Sequence, residues 1–334
     1  MQGGRGNKLP YQPEIRKRDA AAFLSHALKK PVQILELQRL ASGQSRETLV
    51  VKTDQPNEPE LVFRIEQGGV LGTTSEPEFK LLQALHGGPV PVPKPRWLVE
   101  DPKWFGYPFM VTERVEGDGS FGYLTDPEKA QTVLRTYITS IGEMHRYSPE
   151  ELGLQTLGIP RNTRESTLEQ LELWTDRYER YRYGREPLLE EAIAWLRRNI
   201  PEPKRAVRLN HGDLSAGNFI LHEGKIMAHV DWEWSNLGDP MEDVAFFAYI
   251  KGRMFGPPES ILALLQEVEE FEIGGDELLY WEIFNYFKAA CANIATLKVF
   301  NEGRNYGLNM VAIGTGGFLG FTRRTAEALR RAEE

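Results

Sequence analysis

A single cysteine, Cys291, among 334 residues excludes a disulfide framework. It lies inside the apolar segment NYFKAACANIATL, where a buried thiol acting as a small hydrophobe is the expectation. Long apolar runs are also missing. None approaches the roughly 20 residues of a membrane span, and the opening MQGGRGNKLPYQPEIRKRD has charge but no apolar signal-peptide stretch. A cytoplasmic address is therefore expected, with no membrane partner. Basic residues are outnumbered, 40 Lys and Arg against 48 Asp and Glu, for a net charge of −8. That balance disfavours nucleic-acid binding through a basic surface. Internal repeats and low-complexity tracts are absent as well. What remains is ordinary globular composition, 41% hydrophobic and 26% charged, in a chain long enough for two lobes.

The first ten or so residues are polar and Gly-rich and read as a loose tail. With a leading helix they make up residues 1–29. Residues 30–115 read mostly as strand. VQILELQRL alternates, LVV and LVFRI follow, and the turn DQPNEP separates the last two. A helix, EPEFKLLQAL, and the Pro-rich loop GGPVPVPKP lead to a second strand pair, RWLVED and YPFMVTERV. Residues 116–334 carry helical spacing instead. Asp126-Pro127 predicts an N-cap with proline at the first helical position. Behind it, Val133, Tyr137, Ile141 and Met144 share a face, as do Leu171, Trp174, Tyr178 and Tyr181 further on. ELLYWEIFNYFKAACANIATLKVF is another helix. The class is α+β, with a small antiparallel-sheet N-terminal lobe and a larger, mainly helical C-terminal lobe.

One island of strand interrupts the helical part: HGDLSAGNFILHEGKIMAHVDWE, residues 211–233. Glu223-Gly224 is a two-residue turn signal between NFILH and KIMAHVD. With that turn His222 faces Lys225, and an uninterrupted ladder sets Asn218 opposite His229. Asn218 and Asp231 are then diagonal neighbours able to reach one ion, and Asp213 stands beyond the same open end. An amide and a carboxylate suit magnesium, which keeps waters and phosphate oxygens. A separate carboxylate could take a proton from a hydroxyl. Asp and Asn are also ordinary turn residues, and spacing alone leaves the two readings even. The histidines 211, 222 and 229 lack the spacing of a zinc site.

HGDLSAGN followed by VDWE resembles the catalytic core of the aminoglycoside phosphotransferase and choline kinase-like family, which has a two-lobed protein-kinase-like fold. His211, Gly212, Asp213, Asn218 and Asp231 match the family's pattern; Ser215-Ala216 departs from the His-Pro of many members. The resemblance implies Asp213 as catalytic base, magnesium on Asn218 and Asp231, and ATP as donor. NLGDPMEDVAFF resembles the family's continuation, in which Asp239 and Asp243 would brace the catalytic loop.

The N-terminal lobe offers matching parts. ASGQSRET occupies the place of a phosphate-covering loop, where Ser42, Gly43 and Ser45 would meet phosphate, although one glycine is not G-x-G-x-x-G. Arg64 on LVFRI stands where kinases carry lysine, and Glu78 is its expected carboxylate partner. SGQSRET with FRI resembles the branch of the family fused to acyl-CoA dehydrogenases. FMVTERVEG resembles the hinge, with the backbone of Glu113 and Val115 reading the adenine edge. IGTGGFLG misses dinucleotide-loop spacing and reads as close helix packing or a turn. For the acceptor, WTDRYERYRYGRE mixes tyrosines and arginines. An aromatic core stripe with a solvated arginine face explains that mixture best, while arginines beside aromatics would also suit an anionic acceptor.

The expected activity is thus ATP-dependent transfer of the γ-phosphate to a hydroxyl of a small molecule, hydroxyacyl-CoA-like or aminoglycoside-like. A pseudokinase that binds nucleotide or a partner without turnover is the alternative. A metal-dependent phosphohydrolase would need further metal ligands that the sequence does not offer.

Overall fold

The computed structural model describes residues 12–40, 46–66, 70–303 and 308–334. The tail 1–11 and the loop residues Ser42, Gly43 and Ser45 lie outside the described residues. The chain divides into two compact units. One comprises Met1–Gly68 with Pro95–Arg114, the other Gly69–Lys94 with Val115–Glu334.

The first unit is a helix, Pro13–Leu28, and a five-stranded antiparallel sheet. Its strands are β1 (Ile34–Leu40), β2 (Glu47–Thr53), β3 (Leu61–Ile65), β4 (Pro95–Val99) and β5 (Phe109–Glu113), in the order β1-β2-β3-β5-β4. β3 is buried at Leu61, Phe63 and Ile65, and half-buried at Val62 and Arg64. The period-two alternation of LVFRI thus became one core face, as strand geometry requires. That face meets Phe23 of the helix, whose ring stands edge-on to Phe63 and Phe109 at 6.0 and 4.9 Å.

The second unit is mainly helical, and Gly275–Asn301 runs through its core with 17 buried residues. Cys291 is fully buried and unpaired there, and burial raises its thiol pKa well above the usual value. The helix Pro127–Arg146 begins as its sequence predicts, with the Asp126 carboxylate accepting from the N–H groups of Glu128 and Lys129. Val133, Tyr137, Ile141 and Met144 face inward, and so do Leu171, Trp174, Tyr178 and Tyr181 of Thr163–Tyr181. IGTGGFLG is a close-packed helical stretch. A side chain at Gly314 would come within 2.4 Å of the Leu297 Cβ on the core helix. No described helix is long and apolar enough to cross a membrane.

Candidate active site

The candidate site begins where a short strand, Arg208–Asn210, releases the chain into HGDLSAGN. That strand pairs antiparallel with Asn236–Gly238, bringing the two ends of the 211–235 excursion together. Gly212 turns the loop with φ 79°, and a Cβ there would sit 2.1 Å from the Trp234 carbonyl oxygen. Only glycine fits that approach.

The hairpin behind the loop forms as its turn signal predicts. Phe219–His222 pairs with Lys225–His229, and Glu223 and Gly224 both have positive φ, 48° and 77°. Both central residues of a type I′ turn require this. The expected register holds at His222↔Lys225 and Leu221↔Ile226 and then fails. A bulge between Ile220 and Leu221 sets Phe219, not Asn218, opposite His229. Met227 is the additional residue on the second strand, and Asn218 belongs to a helical turn, Ala216–Asn218, rather than to the strand. Asn218 lies across from Val230 instead, whose N–H donates to the Asn218 carbonyl at 2.9 Å. The slip shortens the step from Asn218's partner to Asp231 from two residues to one. Asp231 itself has φ 68°, a left-handed conformation that aspartate tolerates better than most side chains. The chain turns sharply there, two residues past His229, the last of the strand.

Side-chain contacts tie these residues together. The Asn218 Nδ2 donates to the backbone carbonyl of Asp213 at 2.9 Å and to its Oδ2 at 3.3 Å. The amide oxygen of Asn218 is thereby turned away from Asp213. His211 accepts the Asp213 N–H on Nδ1 at 3.3 Å, so its Nε2 carries the proton and donates to the Val230 carbonyl at 3.0 Å. One imidazole thus links the residue holding the first carboxylate to the residue before the second. Trp232 is buried against the same ring at 4.6 Å. Its backbone N–H donates to Glu78 at 3.3 Å, and its indole N–H to the His229 carbonyl at 3.0 Å.

Behind the loop lies a layer of buried charge. Asp243 accepts the N–H of His211 at 2.6 Å and of Gly212 at 2.9 Å. It therefore braces the loop, as its place in NLGDPMEDVAFF suggests. The Asp239 carboxylate instead pairs with both ends of the Arg205 fork, at 2.9 and 3.0 Å, and accepts the Met241 N–H. Its contribution to the loop is the carbonyl that accepts from Asn210 at 3.0 Å. Lys288, wholly buried, donates to the Gly212 carbonyl at 2.6 Å and to Glu242 at 2.8 Å. Its ammonium lies 5.3–5.5 Å from the rings of Phe246, Trp174 and Trp234. The Gly212 peptide neighbourhood is thus held on its N–H side by Asp243 and on its C=O side by Lys288.

His145 sits between Glu269, 2.7 Å from Nδ1, and Asp243, 3.5 Å from Nε2. Burial opposes its protonation, but the charge of Glu269, its hydrogen bond and the nearby Asp243 carboxylate outweigh that and push its pKa up to about 10. His229 shows the opposite balance. Burial, reinforced by neighbouring His211, lowers it to about 3, and its neutral Nε2 lies 2.8 Å from the Ser140 hydroxyl. Because the folded pKa of His145 exceeds the ordinary histidine value of 6.5, its contribution is fully present below that pH and fades as pH rises toward 10. His145→Gln should therefore lower the melting temperature more at about pH 6 than at about pH 10.5. Thermal melts of both proteins at the two pH values check this; an equal loss at both would contradict a charged His145.

The remaining predicted residues are placed as follows. Arg64 lies on β3 opposite Thr48 and Met110. Glu113 ends β5 and accepts from Arg96 at 2.7 Å, and half-buried Val115 follows two residues on. Glu78 is buried on the helix Ser75–Leu85. Of the arginines expected on a solvated face, Arg177 and Arg182 depart: both are half-buried, Arg177 4.4 Å above Trp174 and Arg182 5.7 Å from the Tyr178 ring. Sequence reasoning did not single out His145, Lys251 or Lys288. Only Lys288 left a signal, a lone lysine inside the apolar run YWEIFNYFKAAC.

Fold and loop together define a protein with the protein-kinase-like architecture of the aminoglycoside phosphotransferases. The sequence profile of the phosphotransferase enzyme family, APH, matches residues 36–279, and the chain belongs to that family. Among curated relatives, mouse acyl-CoA dehydrogenase family member 10 is 30% identical over 226 residues, 64% of this chain and 20% of that protein. Human acyl-CoA dehydrogenase family member 11 is 29% identical over 177 residues, 51% of this chain and 22% of that protein. The chain thus matches only about a fifth of the length of these relatives. Among solved structures, a provisionally assigned aminoglycoside phosphotransferase of Ralstonia eutropha JMP134 superposes with TM-score 0.69 at 23% identity, over 94% of this chain and 98% of that one. A thermostable mutant of aminoglycoside phosphotransferase APH(4)-Ia, in a ternary complex with ADP and hygromycin B, gives TM-score 0.62 at 13% identity over 92% and 99%.

Proposed function

We propose that this protein transfers the γ-phosphate of ATP to a hydroxyl of a small-molecule acceptor, with Asp213 as the base. One observation carries the reading. The Asp213 carboxylate is half-buried, with Oδ2 held by Asn218, while the buried Oδ1 has no hydrogen-bond partner among the described residues. A loop clamped on both sides thus holds a buried, unsatisfied carboxylate oxygen whose chemistry suits a hydroxyl proton. Asn218 and Asp231 would hold magnesium. Their donor chemistry fits: the Asn218 amide nitrogen is occupied by Asp213, leaving its oxygen, and a second oxygen ligand comes from a carboxylate one residue beyond its backbone partner. Bound there, the ion would neutralise phosphate charge as the transfer proceeds. Arg64 with Glu78, the Ser42, Gly43 and Ser45 backbone, and the Glu113–Val115 backbone are assigned to the nucleotide by the family pattern.

For the acceptor, an anionic molecule of the hydroxyacyl-CoA type is favoured over an aminoglycoside. Support comes from cations set on aromatic faces in the helical unit: Arg177 over Trp174, and Arg324 over Tyr286 and Phe321. The names of the curated relatives point the same way. A cytoplasmic site of action, where ATP and a reduced Cys291 coexist, belongs to this reading. The test is incubation with magnesium and γ-labelled ATP against a panel of hydroxyacyl-CoAs and aminoglycosides. Label transfer to a hydroxyacyl-CoA, abolished by EDTA, is expected. Turnover of aminoglycosides alone would sink the anionic acceptor, and nucleotide binding with no transfer to any hydroxyl would favour a binding module.

A further inference from the structure

The helix Met241–Phe246, whose first turn supplies Asp243 to the catalytic loop, does not stop at the clamp. It widens into a π turn, Phe247–Lys251, closed by the Gly252 N–H bonding back to the Phe247 carbonyl. Such turns insert a residue and redirect the side chains that follow. Here the redirected residue is Lys251, whose Nζ lies 3.7 Å from Asp213 Oδ1. That is the Asp213 oxygen without a hydrogen-bond partner among the described residues. Gly252 makes the geometry possible. A Cβ on it would fall 2.8 Å from the Phe247 carbonyl oxygen, the acceptor of the π-turn bond. One continuous helical segment thus grips the loop backbone with a carboxylate and faces the loop's own carboxylate with an ammonium.

Stability does not explain this placement. The Lys251 side chain retains 37% of its exposure and that of Asp213 23%, and a solvent-screened pair adds little to folding. The separation also exceeds a direct charge-assisted hydrogen bond, so the two groups face each other without closing on one another. An oxygen that approaches Asp213 Oδ1 to deliver a proton comes within reach of the ammonium.

We propose that Lys251 is a further catalytic residue, its ammonium contacting the phosphoryl group in flight. This rests on the phosphotransferase reading above. In the step, the acceptor oxygen forms a bond to the γ-phosphorus as the bond from phosphorus to the β,γ-bridging oxygen breaks. The electron pair of that bond leaves with ADP. The hydroxyl proton passes to Asp213 Oδ1. Charge spread over the equatorial phosphoryl oxygens is met by Lys251 from the helical side. Arrival of the proton on Asp213 removes the lysine's anionic neighbour as the phosphorylated product forms, leaving the ammonium to the new phosphate.

The test needs no knowledge of the acceptor. Magnesium, ADP and fluoroaluminate, a mimic of the transferring phosphoryl, are titrated against the whole chain and compared with magnesium and ADP alone. Wild-type protein should bind ADP more tightly when fluoroaluminate is present. Lys251→Met should lose about 100-fold of that tightening, with affinity for magnesium and ADP alone within about twofold. Lys251→Arg should keep part of the tightening, and Gly252→Ala, which disturbs the π turn, should lose part of it. Lys251→Met that tightens as fully as wild type would overturn the assignment. A wild type that shows no tightening at all would instead sink the phosphotransferase reading, and this inference with it.

Discussion

Replacing Asp213 with Asn is expected to lower phosphoryl transfer by about 10³-fold while leaving magnesium-ATP affinity near that of wild type. The substitution preserves shape, and the Asn218 amide can still donate to the remaining side-chain oxygen and to the carbonyl of residue 213. The backbone bond from residue 213 to His211 Nδ1 is untouched as well. What disappears is a proton acceptor at Oδ1 and one negative charge facing Lys251. The defect should therefore appear in single-turnover transfer and not in the dissociation constant for nucleotide. Transfer within about threefold of wild type would remove Asp213 as the base, since one well-placed proton acceptor contributes at least about 10²-fold.

The second large effect is expected at a residue that has no place in the chemistry. Asp243→Ala strips the acceptor from two backbone N–H groups at 2.6 and 2.9 Å and leaves protonated His145 with only Glu269. All of these groups are buried. Burial alone would raise the Asp243 pKa, but the close charge of His145 and the backbone N–H of Gly212 override it, holding the carboxylate below its usual range. Breaking such a set by removing one partner costs on the order of 3–5 kcal/mol, and the loop loses the hold on the N–H side of its Gly212 turn. Urea denaturation should therefore show a midpoint well below wild type, and the folded fraction should show transfer reduced by about 100-fold or more. Asp243→Asn, which keeps one acceptor oxygen, should fall between. A denaturation midpoint indistinguishable from wild type would mean that the clamp does not hold the loop.

Both residues stand in stretches that can be read directly, yet they were legible to different degrees. Asp213 belongs to a compact pattern, HGDLSAGN, whose turn, glycine and amide occupy eight consecutive positions. Asp243 was legible as a family feature, but neither its two N–H partners nor its histidine could be derived from spacing. The hairpin marks the boundary within a single motif. Its turn follows from Glu223-Gly224, a local matter of positive φ. Its register past Ile220 depends on a bulge at Met227 that no turn rule announces, and counting residues from the turn therefore put Asn218 one step out.

By itself the sequence determined what short-range physics controls. It set the alternation that makes β3 one core face, the Asp126 cap and its helix, the apolar stripe through Trp174 and Tyr178, the hairpin turn, and the burial of Cys291. Tertiary structure alone decided which distant groups meet. The loop takes its clamp from 32 residues away through Asp243 and from 76 away through Lys288. His145 reaches Glu269 across 124 positions. Lys251 faces Asp213 only because a helix widens by one residue before Gly252. Turn, cap and periodicity preferences act within a few residues of chain. A buried charge finds its partner only after packing has chosen its neighbours, because desolvation makes an unpaired charge untenable while leaving its partner's position in the chain unspecified.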